Sequence, residues 1–243
     1  PLITLYEQKV ELITKTGIDV LISVPFTQKF AEVTAGKFVE DILIKRIGMK
    51  AIVVGKDYTF GKNREGNIEF LKNEAERLDF KLIVADWIQP PANGSVRISS
   101  TRIREFVTDG KLTEAQKLLG RDYQIRGTVE TGRNRGGKLL GFPTANIKLH
   151  DELAPKIGVY AVTVECQGIK YKGVANIGYS PTFGDHLYTV EVHILDFDDN
   201  IYGKKIRVNF IERLRSEKKF SDISELSEQI KRDIVKAREI LSL

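Results

Sequence analysis

The sequence predicts an α/β unit followed by an all-β unit that ends in a helix, and three observations carry this. Over the first half, β-rich apolar runs alternate with helical periodicities, the order of a parallel sheet with crossover helices. From Tyr123 to about Phe210 the pattern changes to short alternating segments broken by Gly, Pro, Asn and Asp, as in an antiparallel barrel or sandwich. A chain of 243 residues accommodates two domains, each of roughly 120 residues. We draw the boundary after Arg121, giving domains 1–121 and 122–243.

In chain order, residues 19–24, 51–54 and 81–85 read as strands. A helix starts after Thr34, sets Phe38, Val39, Ile42, Leu43 and Ile47 on one face, and stops at Gly48. A second covers 67–78, with Ile68, Leu71, Ala75 and Leu78 at helical spacing. Beyond Gly94 the run ISSTRIREFVTDG reads as a short strand leading into a basic helix opened by hydroxyl residues. Thr113 and Gln116 form a capping-box pattern for a helix ending at Gly120. In the second half, 125–131, 159–166, 172–177, 187–195 and 205–211 read as strands. A final helix is capped by Asp222, with Glu225 three residues later. Its stripe of Ile223, Leu226, Ile230 and Ile234 is expected to close one side or end of the β unit.

Composition excludes several classes. Hydrophobic content of 42% and charged content of 29% suit a globular protein rather than a disordered one. No run approaches the ~18 apolar residues of a membrane span, and residues 1–9 lack a secretory layout, so a cytoplasmic location is the default expectation. Cys166 is the single cysteine and cannot form an internal disulfide; His150, His186 and His193 have no zinc-site spacing. The net charge of +5 and pI near 9.1 point to anionic partners, whether nucleic acid, an acidic membrane or phosphorylated small molecules.

The segment GRNRGGK at 132–138 matches the first part of a phosphate loop. Leu139 replaces its Ser or Thr, however, and Pro143 opposes the helix such a loop must open. It is therefore not a P-loop. The glycines of this segment, Gly132, Gly136 and Gly137, still allow backbone N–H groups to approach phosphates, and Arg133, Arg135 and Lys138 supply charge; a basic hairpin tip would have the same composition. Directly downstream, Thr144 and Asn146 offer a hydroxyl and an amide oxygen suited to a magnesium ion that already carries nucleotide phosphates, or to an ordinary stabilised turn. In LYTVEVHIL at 187–195, Val190, Val192 and Ile194 share one strand face and Thr189, Glu191 and His193 the other. Glu191 is thus either part of a solvated outer face or a base that accepts a proton from an attacking hydroxyl.

In the first half, SSTRIR at 99–104 puts hydroxyls and two arginines at a helix start. An anion is favoured there, though simple capping gives the same pattern. The loop GKDYTFGKNREG at 55–66 follows a strand at its C-terminal end, the edge at which open α/β sheets bind ligands.

These segments, followed in order by LLGFPTANI, GVANIGYSPTFG, EVHILDFDDNIYG and RLRSEKKF, resemble the bifunctional riboflavin kinase/FAD synthetase family of bacteria over nearly the whole chain. The resemblance implies an incomplete Rossmann-like nucleotidyltransferase domain followed by a riboflavin kinase antiparallel β-barrel with a C-terminal helix. The substrates and products would be riboflavin, FMN, ATP, ADP and FAD, with Mg2+ accompanying ATP. It also implies that Glu191 is the general base, that Thr144 and Asn146 hold magnesium and phosphate oxygens, and that 132–141, including Gly132, Lys138 and Gly141, forms a flap over the nucleotide. Asn176, Thr182 and Arg215 would surround the flavin in the kinase half. Asp57 and Phe60 would lie in the flavin-side loop of the other half, and Ser100 and Arg102 in its phosphate-binding helix start. The family opens with a G-x-F-D-G-x-H-x-G-H segment that this sequence lacks, so the chain as written is expected to be a poor adenylyltransferase or none. Two other readings are a basic nucleic-acid-binding module, suggested by the arginines at 102, 104, 133 and 135, and a flavin-binding protein without catalysis.

Overall fold

The computed structural model describes residues 1–87, 98–130, 142–149, 151–179 and 188–242. They group into two compact units: Pro1–Lys15 with Ile98–Leu243, and Thr16–Arg97. Packing thus gathers the helices that precede Arg121 into the same unit as the barrel.

The first unit is built on six strands: β3 (Tyr123–Thr128), β4 (Ala145–Lys148), β5 (Gly158–Cys166), β6 (Ile169–Tyr179), β7 (Tyr188–Ile194) and β8 (Lys205–Arg215). They lie in the order β3-β8-β5-β6-β7-β4, each pair antiparallel. A bridge between Glu130 and Asn146 links the two edges and nearly closes the sheet into a barrel. At this seam β3 and β4 come so close that a Cβ on Gly127 would stand 2.1 Å from a methyl carbon of Ile147, which explains the glycine there. Alternation puts Ile147, Val162, Val164, Ala175, Ile177, Val190, Val192, Val208 and Phe210 into the closed interior, where removal of apolar surface from water is the main stabilising term.

Helices dress the outside of this barrel. Helix α1 (Tyr6–Thr14) carries a buried Gln8 whose amide donates to Gln124 at 3.2 Å, and its Glu11 pairs with Arg126 at 2.8 Å and Arg207 at 3.2 Å. Helices α5 (Ser100–Asp109) and α6 (Leu112–Leu119) pack together, and their Ile103, Val107, Leu112 and Ala115 join the barrel core. Helix α7 (Ile223–Ile240) packs on β5, β6 and β8. As expected, Asp222 caps it by accepting from the Glu225 N–H at 2.8 Å. The Thr113 cap is corrected: α6 begins at Leu112, one residue before the threonine, and Lys111 holds the cap position without a side-chain bond.

The second unit contains the parallel pair β1 (Ala51–Gly55) and β2 (Lys81–Ala85), connected through α4 (Ile68–Leu78). Ahead of β1, a short α2 (Gln28–Ala31) and α3 (Ala35–Lys37) lead into a π-helical stretch, Phe38–Arg46, that ends near Gly48 as the pattern predicted. Asn67 caps α4 by accepting from the Phe70 N–H at 2.9 Å. Ala35, Val39, Val54, Phe60, Leu71 and Phe80 form the core. Residues 19–24 are not the strand their composition suggested. Among the described residues β1 and β2 pair only with each other, and a β-run without a ladder partner leaves its backbone groups to water. None of the helices is long and apolar enough to cross a membrane, among the described residues.

Candidate active site

Strand register assembles the site. Asn146 on β4 stands opposite Glu191 on β7, Glu191 opposite Asn176 on β6, Asn176 opposite Val159 on β5, and Val159 opposite Arg215 on β8. Directly paired residues point to the same side of a sheet, so these five make one row across five strands. Because Val190, Val192, Ala175 and Ile177 fill the barrel interior, the row lies on the outer face. Four of its members, Asn146, Asn176, Glu191 and Arg215, are residues the sequence singled out.

Helix α7 turns this outer face into a cavity of about 820 Å³. Thr144, Asn176, Glu191, His193 and Arg215 are among its polar groups, with Glu217, Lys218, Lys219 and Asp233, and Val159, Val174, Phe220, Ile223, Leu226 and Ile230 form most of its apolar wall. Asp233, a carboxylate only 5% exposed in mid-helix, accepts from Arg215 Nε at 3.0 Å on one oxygen and Nη2 at 2.7 Å on the other, and from Gln229 Nε2 at 2.9 Å. This planar two-pronged pair offsets the cost of burying both charges and ties α7 to β8 across the cavity floor. At the rim, Glu217 accepts from the Asn176 amide at 3.4 Å. Lys218 beside Glu225, together with the Ser221 N–H, holds the Glu225 carboxyl down to about 2.

A smaller cavity of about 330 Å³ lies beside it, lined by Val129, Val192, Phe197, Asp198, Asn200 and Tyr202 among others. Thr144 lines both cavities. The Asn146 amide nitrogen donates to the Thr144 carbonyl at 3.4 Å, so the amide oxygen is the atom Asn146 can offer a ligand. Among the described residues no group of three His, Cys, Asp or Glu side chains could hold a metal ion alone.

The other expected residues are distributed as follows. Gly132, Lys138, Gly141 and Thr182 fall outside the described residues. Ser100 opens α5, whose cap Ser99 accepts from the Arg102 N–H at 3.2 Å; Arg102 donates to Glu105 at 2.8 Å and lies over the Phe106 ring at 4.4 Å. In the second unit Asp57 is exposed, whereas Phe60 is turned into the core, stacked on Tyr58 with ring centroids 5.3 Å apart and met by Phe38 and Phe70. Sequence reasoning missed Asp233, Glu217 and the cavity-facing role of the helix stripe. The signal for Asp233 was an acidic residue in the register of Leu226 and Ile230.

The model of the Riboflavin kinase family matches residues 119–241, and that of the FAD synthetase family matches residues 1–102. A bifunctional riboflavin kinase/FMN adenylyltransferase of Escherichia coli K12 is 38% identical over 242 residues, covering 99% of this chain and 76% of its own. Proteins of the same name from Haemophilus influenzae and Bacillus subtilis are 39% and 37% identical, covering 95% and 96% of this chain and 74% and 73% of theirs. A crystal structure from Streptococcus pneumoniae, described as a macrolide-efflux protein, superposes with a TM-score of 0.85 at 36% identity, covering 97% of this chain and 75% of that one.

Proposed function

The chain belongs to the bifunctional riboflavin kinase/FMN adenylyltransferase family, and from that premise we propose that residues 122–243 transfer the γ-phosphate of ATP to the 5′-hydroxyl of riboflavin, giving FMN and ADP. The observation that carries this reading is the row of Asn146, Glu191, Asn176, Val159 and Arg215, with Thr144 shared by two adjoining cavities. The larger cavity pairs an apolar wall with a polar floor, which suits a flat ring system bearing a hydroxylated chain. The smaller one, reached across Thr144, has room for a nucleoside.

In this arrangement Glu191 accepts the proton of the 5′-hydroxyl as that oxygen bonds to the γ-phosphorus, and the bond to the β–γ bridging oxygen breaks to release ADP. Thr144 and Asn146 would hold a magnesium ion carried chiefly by ATP phosphates, because they offer neutral oxygens. Bound there, magnesium neutralises charge on the phosphate oxygens. Gly132, Lys138 and Gly141 are read as the phosphate-covering segment, and Asn176, Thr182 and Arg215 as flavin contacts. Residues 1–121 are assigned to FMN adenylyltransfer, in which the FMN phosphate attacks the α-phosphorus of ATP and diphosphate leaves. Ser100 and Arg102 are the proposed phosphate groups of that reaction, and Asp57 and Phe60 its flavin-side loop. We place the protein in the cytoplasm, where ATP is available.

Incubation with riboflavin, ATP and magnesium tests the kinase reading. FMN should accumulate, stop on chelation of the metal and resume when magnesium is restored. Absence of FMN from the folded protein would overturn it. Formation of FAD from FMN and ATP tests the first half separately.

A further inference from the structure

The β4–β7 ladder ends at the pair Ala145–Val192. Continued by one residue it would set Thr144 against His193, but Pro143 has no N–H to donate, so strand pairing cannot extend in the usual way. The Pro143 carbonyl nevertheless has a partner, the His193 ring nitrogen Nδ1 at 2.9 Å. A carbonyl oxygen only accepts, so Nδ1 carries the hydrogen, which fixes the ring's tautomer when it is neutral. Phe142 meets the same ring edge-on, with centroids 5.5 Å apart and planes at 85°. The imidazole therefore holds the two residues just before Thr144, and it lines the larger cavity alongside that threonine.

We propose that His193 is a positioning residue for phosphoryl transfer. Its Nδ1–H anchors the Pro143 carbonyl just beyond the end of the ladder and so fixes where the Thr144 hydroxyl stands relative to the nucleotide phosphates. The role attributed to Thr144 rests on the kinase reading above; the ring-to-carbonyl bond does not.

Three variants test this: H193A, H193N and H193Q. An asparagine amide N–H falls about where Nδ1 does, whereas the longer glutamine reaches about where Nε2 does. Loss of one neutral hydrogen bond that orients a reacting group corresponds to roughly a tenfold fall in kcat/KM for ATP in H193A and H193Q. H193N should recover to within about threefold of the unsubstituted protein. Near-ultraviolet circular dichroism should stay unchanged in all three, an outcome that a general loosening of the barrel would not give. Equal losses in H193N and H193Q, full retention in every variant, or a loss of activity that follows a loss of the dichroism signal would each overturn the proposal. If H193A does not fold, the other two variants decide. If the unsubstituted chain makes no FMN, the kinase reading fails, and the nitrogen-15 shifts of His193 still test the bond: a neutral ring protonated on Nε2 rather than Nδ1 would overturn it.

Discussion

In the barrel unit the two sheet edges meet across the Glu130–Asn146 bridge, whereas in residues 16–97 the strands β1 and β2 have only each other among the described residues. The burial of apolar residues follows this difference. Val162, Val190 and Val208 have no exposed surface, while Val53 on β1 is 63% exposed and Phe26, close to the run at 19–24, is 82% exposed. Closure fixes the spacing of side chains on both faces of a sheet, including the outer one. That is where the row of polar residues and its roofing helix make a shaped cavity, so the region best suited to hold reacting groups in a set geometry is the closed one.

The largest expected effect lies on that row. Glu191→Gln should lower FMN turnover by about 10²- to 10⁴-fold while leaving riboflavin affinity nearly unchanged, because a proton acceptor is needed in the transition state and not for docking. Proportional losses in both would remove the special status of the closed sheet's outer face. Next, Phe210→Ala in the barrel core should cost about 3–5 kcal/mol of stability, read from denaturant unfolding.

An intermediate effect concerns α1. Burial disfavours the charged Glu11 carboxylate, but hydrogen bonds and attraction from Lys15, Arg126 and Arg207 outweigh this and lower its pKa to about 2. With the folded value below the unfolded one, the stabilisation is complete at neutral pH and is lost as pH falls from about 4.5 toward about 2. Glu11→Gln should flatten stability over that window at a cost of about 1–3 kcal/mol at pH 7; an unchanged acid profile would contradict the clasp. The smallest effect is expected from Phe26→Ser, within about 0.5 kcal/mol, since this side chain has little burial to lose. A large loss there would show that the open unit buries its residues more fully than the contrast above allows.

What could be read from sequence follows from what is local. Alternation located β5, β7 and β8 to within a residue or two at their N-terminal ends, and Asp222 capped its helix as its chemistry predicted. Thr113 failed as a cap because Leu112 and Ala115 are drawn into the barrel core, and that packing starts the helix earlier than the capping pattern implied. Residues 19–24 have β composition, but a strand also needs a neighbour, and composition does not supply one. Asn146, Glu191, Asn176 and Arg215 could each be singled out by type, yet their alignment depends on the register of strands far apart in sequence. The contributions of Asp233 and His193 depend on a helix docking and on a ladder interrupted by proline, neither of which leaves a periodic trace.

Residues 1–15 rest on the barrel, the polypeptide then departs through 16–97, and it returns at Ile98, so the α/β unit is an excursion moored at both ends. Leu2 exchanges backbone bonds with Asp151 and Leu153 at 2.8 and 2.9 Å, adding to the hold of Gln8 and Glu11. A single proteolytic nick within the excursion should therefore shed nothing: the two fragments would separate in denaturant and migrate as one particle in native buffer.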